Sequence, residues 1–177
     1  MSKVIIFSRV FPAYHQKVGQ PTYFVEKLWQ SILDNELGEW QGVADTSSNS
    51  LLNDERRNFF SKQWDCKNHT IRAGHRFKVG DKFSPRVWSG KPYRSKQIII
   101  APDIEVKKVW TLEIFNEKII IGGVWKELMD SRTKKVITEL ATNDGLSVND
   151  FLEWFKYPKT KLIDDVQIIC WNENIKY

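Results

Sequence analysis

Apolar positions along the chain follow two periods, and the changes of period mark its elements. Phe24, Val25, Leu28, Trp29, Ile32 and Leu33 recur at helical spacing, which predicts an amphipathic helix running from an N-cap at Thr22 to about Asp34, with Phe24, Leu28 and Ile32 on the buried side. Val4, Ile5, Ile6 and Phe7 are consecutive, which predicts a first strand over Lys3–Phe7 buried on both faces. Further strands are expected over Lys82–Trp88 and Gln97–Ala101, in a hairpin of Asp103–Phe115 with Lys118–Trp125 across Asn116-Glu117, and in a closing strand over Asp165–Trp171. A short helix is expected over Asp54–Trp64 and another over Lys134–Ala141, the latter ended by Asn143-Asp144-Gly145 with a C-cap glycine. Ser147, with Asp150 three residues on, reads as the N-cap of a last helix that turns Phe151, Leu152 and Phe155 inward. The polar stretch 38–53 reads as a surface loop. Strand-rich runs with few, unequal helices argue for an α+β fold and against a doubly wound sheet.

At 177 residues, 41% of them apolar and 13% aromatic, the chain is long enough for one globular domain. No apolar run approaches the roughly 20 residues of a membrane span. Val4–Phe7 is too short for the core of a signal peptide, so a cytoplasmic protein without a membrane partner is expected. Two cysteines, Cys66 and Cys170, suit a reducing compartment. Cys66, His69 and His75 match no established ligand spacing, so neither a metal nor another cofactor is expected. Nothing in the sequence points to a protein partner.

Charge changes the picture more than composition does. The stretch Arg72–Lys96 holds eight of the chain's 27 Lys and Arg residues but only one, Asp81, of its 22 Asp and Glu residues; the rest, with 19 and 21, is slightly acidic. Inside the stripe Trp88 and Tyr93 lie among Arg86, Lys91 and Arg94, an arrangement in which rings stack bases and cations hold phosphates. The alternative is a solvated hairpin face with Trp88 packed in the sheet and Tyr93 on its rim. The first reading makes RNA or a nucleotide the expected partner.

The stripe begins at Lys67-Asn68-His69-Thr70-Ile71-Arg72. If His69–Arg72 is a strand, Thr70 and Arg72 share one face and His69 and Ile71 the other. Lys67 joins the Thr70 face only if the chain enters through a turn or bulge. A threonine hydroxyl attacks a carbonyl only when a base takes its proton, and a neutral lysine is such a base. The same residues also read as a strand threonine, a solvated loop lysine and an arginine that pairs with phosphate or carboxylate.

Lys-x-x-Thr-x-Arg, followed after a short loop by Phe77-Lys78-Val79-Gly80-Asp81, resembles the signature of ASCH domains in the PUA-like superfamily. Most ASCH domains carry Gly-x-Lys-x-x-Glu-x-Arg; here Asp65 stands for the glycine and Thr70 for the glutamate. Threonine at that place resembles the branch that removes the acetyl group from N4-acetylcytidine. The resemblance is good over Lys67–Asp81 and holds only in outline over Gln97–Trp171. It implies a small, mixed, curved β-barrel with helices packed outside, as a single domain over 1–177 with 12–64 as a helical and loop insertion. It further implies Thr70 as nucleophile, Lys67 as base, and an acid whose place falls at Asp144, where plain turn chemistry is the alternative. Arg72 would hold substrate or oxyanion. Because the first strand of such folds runs beside the motif, Arg9 is expected near the substrate, together with Trp88, Tyr93, Arg86, Lys91 and Arg94. The expected function is engagement of RNA or a modified nucleoside, with hydrolysis of the N4-acyl amide of a modified cytidine as its chemistry. A binding module without turnover is the alternative, and RNA cleavage a weaker one.

Overall fold

The computed structural model describes residues 2–38, 44–45, 49–115, 118–127, 131–155 and 162–177. In chain order its elements are β1 (Lys3–Ile6), α1 (Phe24–Asp34), a 3-10 turn (Ser50–Leu52), α2 (Asn53–Ser61), β2 (His69–Ala73), β3 (Lys82–Trp88), β4 (Gln97–Ile99), β5 (Ile104–Glu105), β6 (Lys108–Phe115), β7 (Lys118–Ile121), β8 (Val124–Glu127), α3 (Ser131–Asn143), α4 (Val148–Trp154) and β9 (Leu162–Cys170). The architecture is therefore α+β, as the apolar pattern predicts. The strands lie in two sheets, and the backbone forms two compact units, each assembled from two stretches: Met1–Lys67 with Asp81–Glu105, and Asn68–Gly80 with Val106–Tyr177. The 12–64 segment lies wholly in the first unit, while half of the expected 38–53 loop falls outside the described residues and its end forms the 3-10 turn and the start of α2. Among the described residues both ladders are open, and no strand pair closes either one into a barrel.

In the first unit β3 is central, parallel to β1 and antiparallel to β4 and β5. The first strand thus pairs with β3, not with the motif strand β2. As an edge strand it is not buried on both faces: Ile5 is 2% exposed and Val4 38%. The helix α1 buries the expected stripe, and Trp29 is held at both ends. Its Nε1 donates to the Ile100 carbonyl at 2.6 Å, and its ring meets Phe59 of α2 edge-on at 5.6 Å. Leu33 lies off the stripe and is exposed. The helix start differs from expectation, because Tyr23 occupies the N-cap position in the left-handed conformation (φ 58°, ψ 25°). Thr22 instead donates to the Ser8 carbonyl at 2.6 Å and accepts from the Phe24 amide at 3.4 Å, which fastens the helix start to the end of β1.

The second unit is an antiparallel sheet in the order β2-β9-β6-β7-β8, with α3 and α4 in the same unit. Two expected strands are each broken. The Asp103–Phe115 run splits at Val106-Lys107 into β5 and β6, which belong to different sheets. The Lys118–Trp125 run folds back on itself because Gly122 and Gly123 both take positive φ (60° and 81°), the requirement of a two-residue hairpin turn with Ile121 opposite Val124. The end of α3 agrees with expectation: the Asp144 amide donates to the Leu140 carbonyl and Gly145 takes φ 78°. So does the start of α4, where Ser147 Oγ accepts from the Asp150 amide and donates to its carboxylate. Phe151 is buried, but Leu152 and Phe155 are only half-buried. Buried Gln167 of β9 clamps the Phe77 backbone from both sides, accepting from its amide at 2.8 Å and donating to its carbonyl at 3.2 Å, and so fixes the loop that follows β2.

Candidate functional site

The chain leaves β1 at Ser8-Arg9, α1 starts at Phe24, α2 presents one face through Asp54, Glu55 and Asn58, and β3 ends at Trp88. These four pieces of the first unit surround a cavity of about 370 Å³, at the small end of the range usual for small-molecule sites. Its walls include Tyr23, Phe24 and Trp88, and its polar groups include Arg9, Glu26, Glu55 and Asn58. Tyr23, in the left-handed conformation at the start of α1, is one of the aromatic residues on the cavity wall. Trp88 also meets Tyr93, with ring centroids 5.5 Å apart. Tyr93 is 90% exposed and itself at φ 63°, a conformation that costs a bulky residue on the order of 1 kcal/mol. A net of loop hydrogen bonds holds it there, among them Arg94 N–H to the Lys91 carbonyl and Gly90 N–H to Ser95 Oγ.

The polar side of the cavity has a definite chemistry. Arg9 closes both Nε (2.6 Å) and Nη2 (2.5 Å) on a single oxygen of Glu55, Oε1. Oε2 is buried and has no hydrogen-bond partner among the described residues, although the side chain is only 9% exposed. An unsatisfied buried acceptor of this kind costs about 1–3 kcal/mol. Glu26, 2% exposed, accepts from Asn58 Nδ2 at 3.2 Å. Burial pushes its carboxyl up to about 7; its own backbone amide and Asn58 pull the other way, neighbouring Glu55 raises it further and Arg9 lowers it. The cavity therefore holds one carboxylate ion-paired with an arginine and, near neutral pH, one carboxyl able to keep its proton.

The expected site residues divide between the units. In the first, Arg9 and Trp88 line the cavity and Tyr93 stands against Trp88. Lys67 is not a solvated loop lysine: it is 1% exposed, and its Nζ lies 4.2 Å from the centroid of Phe24, itself a cavity-wall ring. Arg86, half-buried, bonds Ser84 and Gln97, while Lys91 and Arg94 are exposed in the β3–β4 loop. In the second unit Thr70 is buried in β2 opposite Ile169, and Arg72 is half-buried on the same face. Asp144 is buried with Oδ1 3.8 Å from Nδ1 of His69, on the face of β2 away from Thr70.

Neither cysteine is poised for thiolate chemistry. Cys66 is pushed up to about 12 by burial and by its contact with Asp34, and Cys170 to about 11 by burial. Among the described residues no group of three or more His, Cys, Asp or Glu side chains could hold a metal ion, and no helix is long and apolar enough to cross a membrane.

Glu26, Glu55, Asn58 and Tyr23 were not expected at a site. Glu26 gives one sequence clue, an acid three residues before Trp29 and so beside the apolar stripe, and Glu55 and Asn58 share an i, i+3 face. Nothing in the spacing ties the two helices together. No family model, no curated protein and no solved structure matches this chain.

Proposed function

We propose that this chain engages a nucleoside, free or within RNA, with the base held in the first-unit cavity. The observation that carries the reading is that Arg9 and Trp88, two residues expected at the substrate from sequence, line one cavity of nucleoside size together with two further aromatic walls. Exposed Lys91 and Arg94 and the rim ring of Tyr93 lie in the loop that leaves Trp88, as a strand of phosphates and bases would require. The ASCH resemblance, with the curved PUA-like barrel it implies, belongs to the same proposal. Hydrolysis of an N4-acyl cytidine is the second reading. It rests on the resemblance at Lys67 and Thr70, and the contact of Asp144 with His69 makes Asp144 the least supported of its three participants.

One set of titrations tests both. Short single-stranded RNA and N4-acetylcytidine should bind the full chain, and Trp88→Ala should weaken binding by about 1–3 kcal/mol, the range for loss of one stacked base. Release of cytidine that Thr70→Ala abolishes would establish the hydrolase; binding without release would leave the binding module. Absence of binding by either ligand, or an unaltered affinity in Trp88→Ala, overturns the proposal.

A further inference from the structure

The polar groups of the cavity are more selective than a stacking slot requires. We propose that the cavity takes a planar ring whose edge pairs an amine with an unprotonated ring nitrogen, as in a 4-aminopyrimidine or a 6-aminopurine, Glu55 accepting from the amine and Glu26 donating to the ring nitrogen. This rests on the reading that the chain binds a nucleoside and narrows it to a class of base.

The inference starts from Glu55. Both contacts from Arg9 converge on Oε1, so the ion pair leaves Oε2 unpartnered among the described residues. Oε2 is closed to solvent, so a ligand N–H in the cavity supplies the missing bond once the Glu55 carboxylate turns toward it, whereas a ligand edge made only of acceptors would meet the carboxylate of an ion pair. Glu26 sets the other half of the edge. Asn58 already donates to its Oε1, and burial pushes the carboxyl up to about 7, so below neutral pH its remaining chemistry toward a ligand is to donate. The charged and titratable groups that line the cavity with it are Glu55 and Asp54 from α2, Arg9 from the segment after β1 and Tyr23 at the start of α1. A carboxylic acid donates more strongly to a basic ring nitrogen than to a carbonyl oxygen, because the two then compete more evenly for the proton. A carboxylate beside a carboxylic acid therefore matches an amine beside a ring nitrogen better than a ring N–H beside a carbonyl. Cytidine and adenosine present the first edge, uridine and inosine the second.

The test is calorimetric titration of the full chain with these four nucleosides at pH 6 and pH 8.5. Cytidine, adenosine or both should bind at least tenfold more tightly than uridine and inosine, and which of the two is preferred identifies the ring. Their affinity should fall between the two pH values as Glu26 loses its proton. Glu26→Gln should remove that pH dependence, since an amide donates at either pH, and Glu55→Gln should lose at least tenfold in affinity with the thermal unfolding transition retained. Should Glu55→Gln fail to fold, the selectivity and pH dependence of the unaltered protein still decide. Equal binding of all four nucleosides, or a flat pH dependence in the unaltered protein, overturns the inference and leaves nucleoside binding standing. Failure of all four nucleosides and of RNA to bind overturns both.

Discussion

Glu26 acquires its character only in the folded chain. In an amphipathic stripe an acid reads as a solvated flank, yet here α2 covers it and Asn58 bonds it. Its consequence for stability has a definite sign. In the unfolded chain the carboxyl ionises near 4.5, and in the folded chain only near 7. Folding therefore retains a proton between these values, and the contribution of Glu26, fully present below pH 4.5, is lost as pH rises to about 7 and stays lost above it. Glu26→Gln, which keeps the bond from Asn58 and cannot ionise, should match the unaltered protein at pH 4 and exceed it by about 3 kcal/mol at pH 8. Urea unfolding at the two pH values measures this; equal stability at pH 8 would show that Glu26 ionises normally. The reason such a residue escapes a sequence reading is physical. Its environment is made by Glu55 and Arg9, which come from α2 and from the end of β1, and no local period encodes a pairing between distant stretches.

At the scale of elements, what was legible is what local periodicity controls. The stripe of α1 repeats over three turns and is legible as far as Ile32, with Leu33 alone falling off it, and the caps at Gly145 and Ser147 are legible because each rests on one residue's conformational preference. The misreadings also share a cause. Apolar runs continue through Gly122-Gly123 and through Val106-Lys107, so hydropathy alone did not divide them, although a Gly-Gly pair is a hairpin cue that composition could have supplied. Val4 was misjudged because burial of a strand depends on what covers it. For α1 the reading is testable: Leu28, with no exposed surface, packs inside the first unit, and Leu28→Ala should cost about 2–5 kcal/mol in chemical denaturation. A cost below about 0.5 kcal/mol would place Leu28 outside a packed core.

For the whole molecule, charge distribution is the property that sequence gave most directly. The stripe of eight basic residues is shared between the units: Lys82, Arg86, Lys91, Arg94 and Lys96 in the first, Arg72, Arg76 and Lys78 in the second. If exposed Lys91 and Arg94 and half-buried Arg86 hold phosphates, replacing all three with Glu should weaken binding of single-stranded RNA. It should also reduce the slope of log affinity against log salt by about 2, since each lost phosphate contact contributes roughly 0.7. Measurement across a salt series decides this, and an unchanged slope would remove these three residues from the RNA path.

The division of each unit into two stretches of chain also bears on how the protein is made. A ribosome delivers β1, α1 and α2 well before β3, the strand on which the first sheet is built, and it delivers β2 and its loop before the rest of the second sheet. The clamp between Phe77 and Gln167 spans 90 residues, so the Phe77 backbone, which leads into the Lys-Val-Gly-Asp turn, waits for the last strand before it is satisfied. Such long closures are slow relative to helix formation. The nascent chain thus emerges as a pair of helices with unpaired strands, and the motif strand is among the last parts to find its place.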